Sequence, residues 1–250
     1  MGSTEKFAVE LRDLTLGHAS AAPLVSCASA SFAPATLTAL IGRNGSGKST
    51  LLRTLAGLSA SYSGTILMGG DDLRSLPSSA LARRMAFVST RRIRVPSMSA
   101  REVVAMGRAP WTGWTGRLSD ADSRAVDEAM QTAGIASLAG RPVDTLSDGE
   151  AQRVMIARAI AQATPLMLLD EPTSFLDLPG RFELASMLRS LAHDHHRCII
   201  FSTHELDQAR SGADMIAIIG DKTIYNMNIH AVRESKIITK LFGVIPSAIG

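Results

Sequence analysis

A glycine-rich run near residue 45 has the composition of a phosphate-binding loop. The run GRNGSGKS, from Gly42 to Ser49, fits the pattern GxxxxGK[ST], with an apolar strand before it and a helix after it. Backbone N–H groups and the helix dipole of such a loop hold phosphates, the lysine adds positive charge and the hydroxyl binds Mg²⁺. The alternative is a glycine-rich turn with an accidental lysine, which the flanking elements disfavour.

The loop therefore supplies most of a predicted nucleotide site. The residues predicted to bind the nucleotide are Gly42, Asn44, Gly45, Ser46, Gly47, Lys48, Ser49 and Thr50. Of these, Ser49 is also predicted to be a metal ligand, and Lys48 is also predicted to act in catalysis.

Two adjacent carboxylates follow a second apolar strand. In LMLLDEPTS, Asp170 and Glu171 stand at the carboxyl end of the strand, where open α/β sheets place their ligands. Asp170 can hold the metal through water, and Glu171 can orient and deprotonate an attacking water. Taken alone, the pair before Pro172 could equally be an ordinary exit from a strand into a turn.

The stretch LSDGE, residues 146–150, allows two compatible interpretations. Ser147 and Glu150 have the spacing of a capping box, which explains the pattern without any ligand. A helix amino terminus with Gly149 nearby, where a ligand could approach the backbone closely, is also an anion site.

The apolar patterning predicts an α/β fold. Strands are predicted at 7–16, 36–41, 64–68, 85–88, 166–169, 198–201 and 215–219, and helices from Lys48 to about Ala56, from Ser119 through Met130, and after Ser147. The continuous apolar runs late in the chain are typical of a parallel sheet covered on both faces. Residues 90–164 are mainly helical in character, as an insertion would be.

Composition bounds the function only loosely. The chain has 250 residues and a net charge of +3, which is compatible with a nucleic-acid or membrane-surface partner without requiring one. Neither a signal peptide nor a spanning apolar segment is recognised, so the expected location is the cytoplasm. Cys198 lies in an apolar run and is expected to be a buried, reduced thiol. The histidines around Asp194 are expected at the end of a surface helix rather than in a metal site, and the arginines of 83–94 on a solvated or partner-binding face.

Together these motifs resemble the ATP-binding cassette (ABC) ATPases. LSDGE with AQRVMIARAI is similar to their signature helix, LMLLDEPTSFLD to their Walker B and D-loop segments, and STHEL at 202–206 to their switch-histidine segment. The resemblance implies a P-loop NTPase (RecA-like) core at 1–89 and 165–232 with an antiparallel β subdomain. It also implies an inserted α-helical subdomain at 90–164 and a tail at 233–250.

The resemblance also assigns roles to residues and predicts a second copy. It implies ATP and Mg²⁺ as cofactors, Glu171 as general base and His204 as the sensor of the γ-phosphate. In this family two cassettes pair head to tail, so Ser147 and Gly149 would act on the ATP held by the partner's glycine loop. The two helix starts would then belong to opposite walls of one composite site.

Narrower features are similar to cassettes of bacterial importers for iron-siderophore, haem and cobalamin complexes. These are MGRAPWTGWTGRLSDADSRAVDEAM, TLSDGE and PTSFLDLPGRFEL. The resemblance implies two membrane-spanning permease subunits as partners, a substrate-binding protein indirectly, a peripheral position on the inner face of the membrane, and no nucleic acid. Trp111 and Trp114 would lie near the permease groove, or they would serve only packing. A soluble non-transport cassette and a nucleotide switch with impaired hydrolysis are the alternatives.

Two positions depart from the family pattern. His18 stands where an aromatic residue usually stacks on adenine; an imidazole can stack, but an ordinary surface histidine is equally compatible. Thr90 stands where a glutamine normally reaches the Mg²⁺ and attacking-water region. A threonine hydroxyl can offer an oxygen to the metal but is shorter, so the alternative is that Thr90 only ends the strand.

Overall fold

The computed structural model describes residues 8–17, 22–59, 62–90, 96–114, 116–206, 209 and 212–234. His18 and the arginines at 91, 92 and 94 lie outside these described residues. Within them, the strands are β1 (Val9–Leu16), β2 (Val25–Phe32), β3 (Thr36–Gly42), β4 (Tyr62–Met68), β5 (Asp71–Asp72), β6 (Met85–Val88), β7 (Leu166–Leu169), β8 (Cys198–Thr203), β9 (Met215–Gly220) and β10 (Thr223–Asn228). The helices are α1 (Lys48–Leu55), α2 (Ser78–Arg84), α3 (Ala100–Ala105), α4 (Asp120–Thr132), α5 (Asp148–Ala161), α6 (Leu178–His193) and α7 (Ile229–Glu234).

The larger sheet has the strand order β10-β9-β3-β8-β7-β6. Its neighbours from β9 to β6 pair in parallel, and β10 adds an antiparallel edge. Because parallel strands end at the same edge of a sheet, the residues after β3, β6, β7 and β8 come together there. The smaller sheet is antiparallel, in the order β2-β1-β4-β5.

Two apolar layers cover the two faces of the larger sheet. Along β3, Leu37, Ala39 and Ile41 face a cluster that includes α5 and α6, whereas Leu40 faces a second cluster with α1 and the smaller sheet. This alternation follows from the two-residue repeat of a strand. The first cluster also takes in Val103 of α3 and Val126 of α4, so the helices between residues 100 and 161 share one core with the sheet.

Most predicted elements are confirmed. Helix α1 ends at Leu55, with Gly57 following in a left-handed conformation (φ 68°), and α4 begins at a capping box on Ser119. Cys198 is fully buried, and burial raises its thiol pKa to about 12. The structure adds β2, β5, β10, α2, α3 and α7, which were not predicted individually. No helix of the described segments is both long and apolar enough to cross a bilayer.

Candidate active site

The glycine loop connects β3 to α1 and has a shape that only glycine permits at several positions. Gly45 and Gly47 have φ values of 79° and 107°, in the left-handed region. A Cβ on Gly42 would lie 2.5 Å from Ser46 Oγ and 2.8 Å from Ile219 O. The loop therefore packs tightly against β9 and delivers α1 with its first N–H groups at the end of the sheet, where a phosphate would be stabilised.

Lys48 is the buried positive charge of this loop. Its side chain is only 6% exposed, and Nζ donates to Gly42 O (2.8 Å) and to Arg43 O (3.3 Å). Burial lowers the pKa of the ammonium group, while the carboxylates of Glu171 and Asp170 act in the opposite direction. Asn44 and Gly45 are exposed at the tip of the loop, and Thr50 lies in the first turn of α1.

Asp170 follows β7 and lies between the neighbouring strands. Its backbone N–H donates to Val88 O of β6 at 2.8 Å. Its Oδ1 accepts hydrogen bonds from the hydroxyls of Ser49 and Ser202, each at 2.8 Å, whereas Oδ2 is buried and has no hydrogen-bond partner. A buried carboxylate oxygen needs a partner. Ser49 and Asp170 together offer the hard oxygen ligands that Mg²⁺ prefers, so this pair fits a magnesium ion.

Glu171 has an unusual backbone for a residue that is not glycine. Its φ is 45°, a left-handed conformation that costs about 1–2 kcal/mol. Three groups surround it. The Ser202 hydroxyl accepts its backbone N–H (2.8 Å), the Ser174 hydroxyl donates to its Oε2 (3.2 Å), and His204 Nδ1 lies 3.6 Å from its Oε1. The structure therefore brings together Ser49, Asp170, Glu171 and His204 from three separate parts of the chain.

Thr90 lies two residues beyond β6, on the same edge of the sheet. Val88, the last residue of that strand, pairs with Leu169 and accepts the backbone N–H of Asp170. Thr90 is half-buried. The predicted position beside the metal-binding carboxylate is thus compatible with the topology, while His18 lies outside the described residues.

The start of the signature helix, α5, is capped by its own chain. The Ser147 hydroxyl accepts from Glu150 N (3.3 Å), and Glu150 Oε2 accepts from Ser147 N (2.8 Å), as in a capping box. Hydrogen bonds from the Ser147 backbone N–H and hydroxyl to the Glu150 carboxylate lower the pKa of Glu150. A Cβ on Gly149 would lie 3.2 Å from Phe175 O, so the signature start packs on the segment that follows Glu171.

The C-terminal end of α5 is hydrogen-bonded to α2 and to the outer edge of β6. Gln162 Nε2 donates to Ala82 O (2.7 Å) and Met85 O (2.9 Å), and Arg158 Nη2 donates to Phe87 O (3.3 Å). The signature helix thus spans the distance from Phe175 to the strand that leads to Thr90.

The two tryptophans differ in their surroundings. Trp111 donates its indole N–H to Gln162 O (2.7 Å), with the guanidinium groups of Arg83 and Arg108 at 5.3 and 5.5 Å from its ring centroid. Trp111 therefore packs between core and helical elements. Trp114 is fully exposed, and Met106 is half-exposed.

Ser202 is a site residue for which the sequence predicted no role, although it begins the STHEL segment. It is fully buried on β8 and contacts both Asp170 and Glu171. The signal available in the sequence was a serine directly after the apolar run CIIF, two residues before His204.

Comparison with known proteins adds independent evidence. The profile of the family described as ABC transporter matches residues 25–174. The chain is 41% identical over 190 residues to the cobalamin import ATP-binding protein BtuD of Halobacterium salinarum, covering 76% of this chain and 47% of that protein. It thus spans about half the length of that relative. It is 36% identical over 218 residues to the achromobactin transport ATP-binding protein CbrD of Dickeya dadantii, covering 87% of this chain and 81% of that protein.

Solved structures agree on the fold. One is described as a metal-chelate type ABC transporter in an inward-facing conformation, with a TM-score of 0.82 and 26% identity over 95% of this chain and 90% of the other. A dimer of the cassette MJ0796 with ADP and Pi has a TM-score of 0.78 and 22% identity over 88% of this chain and 98% of the other, which shows the fold alone. Sequence, site geometry and relatives agree that the chain belongs to the ABC transporter family.

Proposed function

We propose that the chain is the ATP-hydrolysing subunit of an importer for an iron-siderophore, haem or cobalamin-type chelate. The observation that carries this proposal is the meeting of Ser49, Asp170, Glu171 and His204 at one edge of the sheet, next to the glycine loop. Support for the transported class comes from the names of relatives, which include achromobactin, ferric enterobactin and cobalamin transport proteins.

The proposed chemistry is hydrolysis of the bond to the γ-phosphate of ATP. The N–H groups at the start of α1 and the Lys48 ammonium hold the phosphates, and Ser49 and Asp170 would hold Mg²⁺, which when bound would supply positive charge next to the phosphate oxygens. Glu171 orients a water molecule and accepts its proton, and His204, close to Glu171, contacts the γ-phosphate.

A second copy of the chain would complete each site. Ser147 and Gly149, at the start of α5, would act on the ATP of a partner placed head to tail. The dimeric cassettes among the structural relatives support this arrangement. The proposed subdomain division remains 1–89 with 165–232 for the core and 90–164 for the helical insertion.

The proposed partners in the membrane are two permease subunits, served by a substrate-binding protein. The exposed side chains of Trp114 and Met106 are candidates for contact with such a partner. The proposed location is therefore peripheral, on the inner face of the cell membrane, and no nucleic-acid partner is expected.

Co-expression with candidate permease genes tests the proposal. The chain is expected to co-purify with permease subunits, and the complex in vesicles is expected to hydrolyse ATP faster when a chelate-loaded binding protein is present. A chain that hydrolyses ATP but associates with no permease would contradict the transport part. A chain that binds no ATP would contradict the whole proposal.

A further inference from the structure

Ser202 connects the two carboxylate residues of the site through a single hydroxyl. It lies on β8 with no exposed surface, and its Oγ donates to Asp170 Oδ1 and accepts from Glu171 N, both at 2.8 Å. A hydroxyl has one proton and two lone pairs, so both hydrogen bonds exist at once. Since His204 follows two residues later, the same strand that carries the switch histidine also holds the two carboxylate residues.

The Asp170 carboxylate depends on few donors. Ser49 and Ser202 both donate to its Oδ1, and its buried Oδ2 has no hydrogen-bond partner. Ser202 is buried and lies on a different strand from the glycine loop, so its hydrogen bond fixes this carboxylate independently of what the Ser49 oxygen binds. A hydrogen-bonded carboxylate whose second oxygen is left available is the usual arrangement of an oriented metal ligand.

The backbone of Glu171 depends on the same hydroxyl. A non-glycine residue at φ 45° persists only where its surroundings hold it. The hydrogen bond from Glu171 N to Ser202 supplies such a restraint at the residue whose side chain must reach the attacking water.

We propose that Ser202 is a positioning residue that holds the Asp170 carboxylate and the Glu171 backbone in one arrangement, and thereby sets the affinity of the site for its metal ion. The inference rests on the proposed function, because it takes the site to bind ATP with a divalent cation. It goes further in assigning metal affinity to a hydroxyl that touches neither nucleotide nor metal.

Equilibrium binding of Mn²⁺ in the presence of ATP, followed by electron paramagnetic resonance of the free ion, tests the inference without measuring turnover. Ser202→Ala is expected to weaken Mn²⁺ binding by about 10- to 100-fold, the usual effect of losing a group that orients a metal ligand. ATP binding in EDTA is expected to stay unchanged, because the glycine loop and Lys48 are intact. Ser202→Thr, which keeps the hydroxyl, is expected to retain parental Mn²⁺ affinity.

Thr164→Val is the matched control for the loss of a buried hydroxyl. Thr164 is 2% exposed and donates to Leu166 O at 2.8 Å, at the opposite end of β7 from Asp170. This variant is expected to lose stability and to keep Mn²⁺ affinity. If Ser202→Ala does not fold, Ser202→Cys keeps the side-chain volume while weakening both hydrogen bonds, and is expected to show the same defect to a smaller degree.

The outcomes separate this inference from the proposed function. A parent chain that binds no Mn²⁺ with ATP overturns both. A parent that binds Mn²⁺, with Ser202→Ala or Ser202→Cys binding equally well, overturns the inference alone. A folded Ser202→Thr that binds as weakly as the alanine variant also overturns it, because the volume at the site would then matter rather than the hydroxyl.

Discussion

Glu171 has a left-handed backbone conformation, and its carboxylate oxygen Oε1 lies 3.6 Å from Nδ1 of His204. Because glutamine keeps the size and loses the basic oxygen, Glu171→Gln is expected to bind ATP normally and to hydrolyse it about 10²- to 10⁴-fold more slowly. Single-turnover hydrolysis and equilibrium ATP binding measure the two effects separately. Hydrolysis at the parental rate would remove Glu171 from the role of general base.

Thr90 follows β6, which pairs with the strand that precedes Asp170, but its hydroxyl is short. We expect Thr90→Gln to raise turnover at saturating MgATP, because an amide oxygen reaches further toward the metal and water. Thr90→Val should lower turnover, because it keeps the shape and removes the oxygen. Steady-state ATPase rates of the three forms decide the matter, and three equal rates would show that position 90 takes no part in hydrolysis.

Helix α4 is stabilised at its start by a carboxylate with an unusually low pKa. The Ser119 hydroxyl, the Ser119 backbone N–H and Arg108 lower the pKa of Asp122 from 3.8 to about 2. Because the folded pKa is depressed, this stabilisation is present above pH 3.8 and is lost as the pH falls toward 2.

The difference in unfolding free energy between the parent and Asp122→Asn is therefore expected to be constant near neutral pH and to shrink as the pH falls below the unfolded pKa. Urea unfolding of both forms across this range measures it. Ser119→Ala, which removes the largest cause of the shift, should weaken the same pH dependence. A difference that stays constant in acid would contradict the assignment.

The turn after α3 crosses α5 closely, and this crossing leaves no room for a side chain at Gly107. A Cβ there would lie 2.2 Å from Arg158 O, a backbone atom that cannot rotate away. We expect Gly107→Ala to destabilise the chain by about 1–3 kcal/mol in urea unfolding, as overpacking does. Gly113→Ala is the control, because a Cβ there meets nothing within 4 Å. Equal stability of the two variants would show that the crossing relaxes freely.

Elements with a strong local pattern could be predicted from the sequence, and elements that depend on their neighbours could not. The apolar runs of β7, β8 and β9 and the glycine that follows α1 are local signals. Strand β2, VSCASASF, is rich in small polar residues and forms because β1 pairs with it. Likewise, Asp170 and Glu171 are visible in a motif, whereas the contact with Ser202 exists only because β7 pairs with β8 in the register Leu169–Phe201.

At the scale of the whole molecule, the proposed head-to-tail dimer predicts that two inactive variants regain ATPase activity when they are mixed. A mixture of a Lys48→Ala chain with a Ser147→Ala chain forms mixed dimers in which one site carries both changes and the other carries neither. ATPase activity is therefore expected to return on mixing, and to rise more steeply than linearly with parental protein concentration. Mixed dimers shown to form but without activity would contradict the shared site.

The attachment of α5 to β6 also has a consequence for solubility. Strand β6, MAFV, is apolar and closes one side of the larger sheet, so its outer carbonyl groups could pair with a strand from another molecule. Arg158 and Gln162 donate hydrogen bonds to the carbonyl oxygens of Phe87 and Met85, and their helix, α5, covers that edge. Helix α5, which is proposed to act on the partner's ATP, thus also protects the sheet from edge-to-edge aggregation. A chain that loses this attachment would expose a short apolar strand with unpaired carbonyl groups to other molecules.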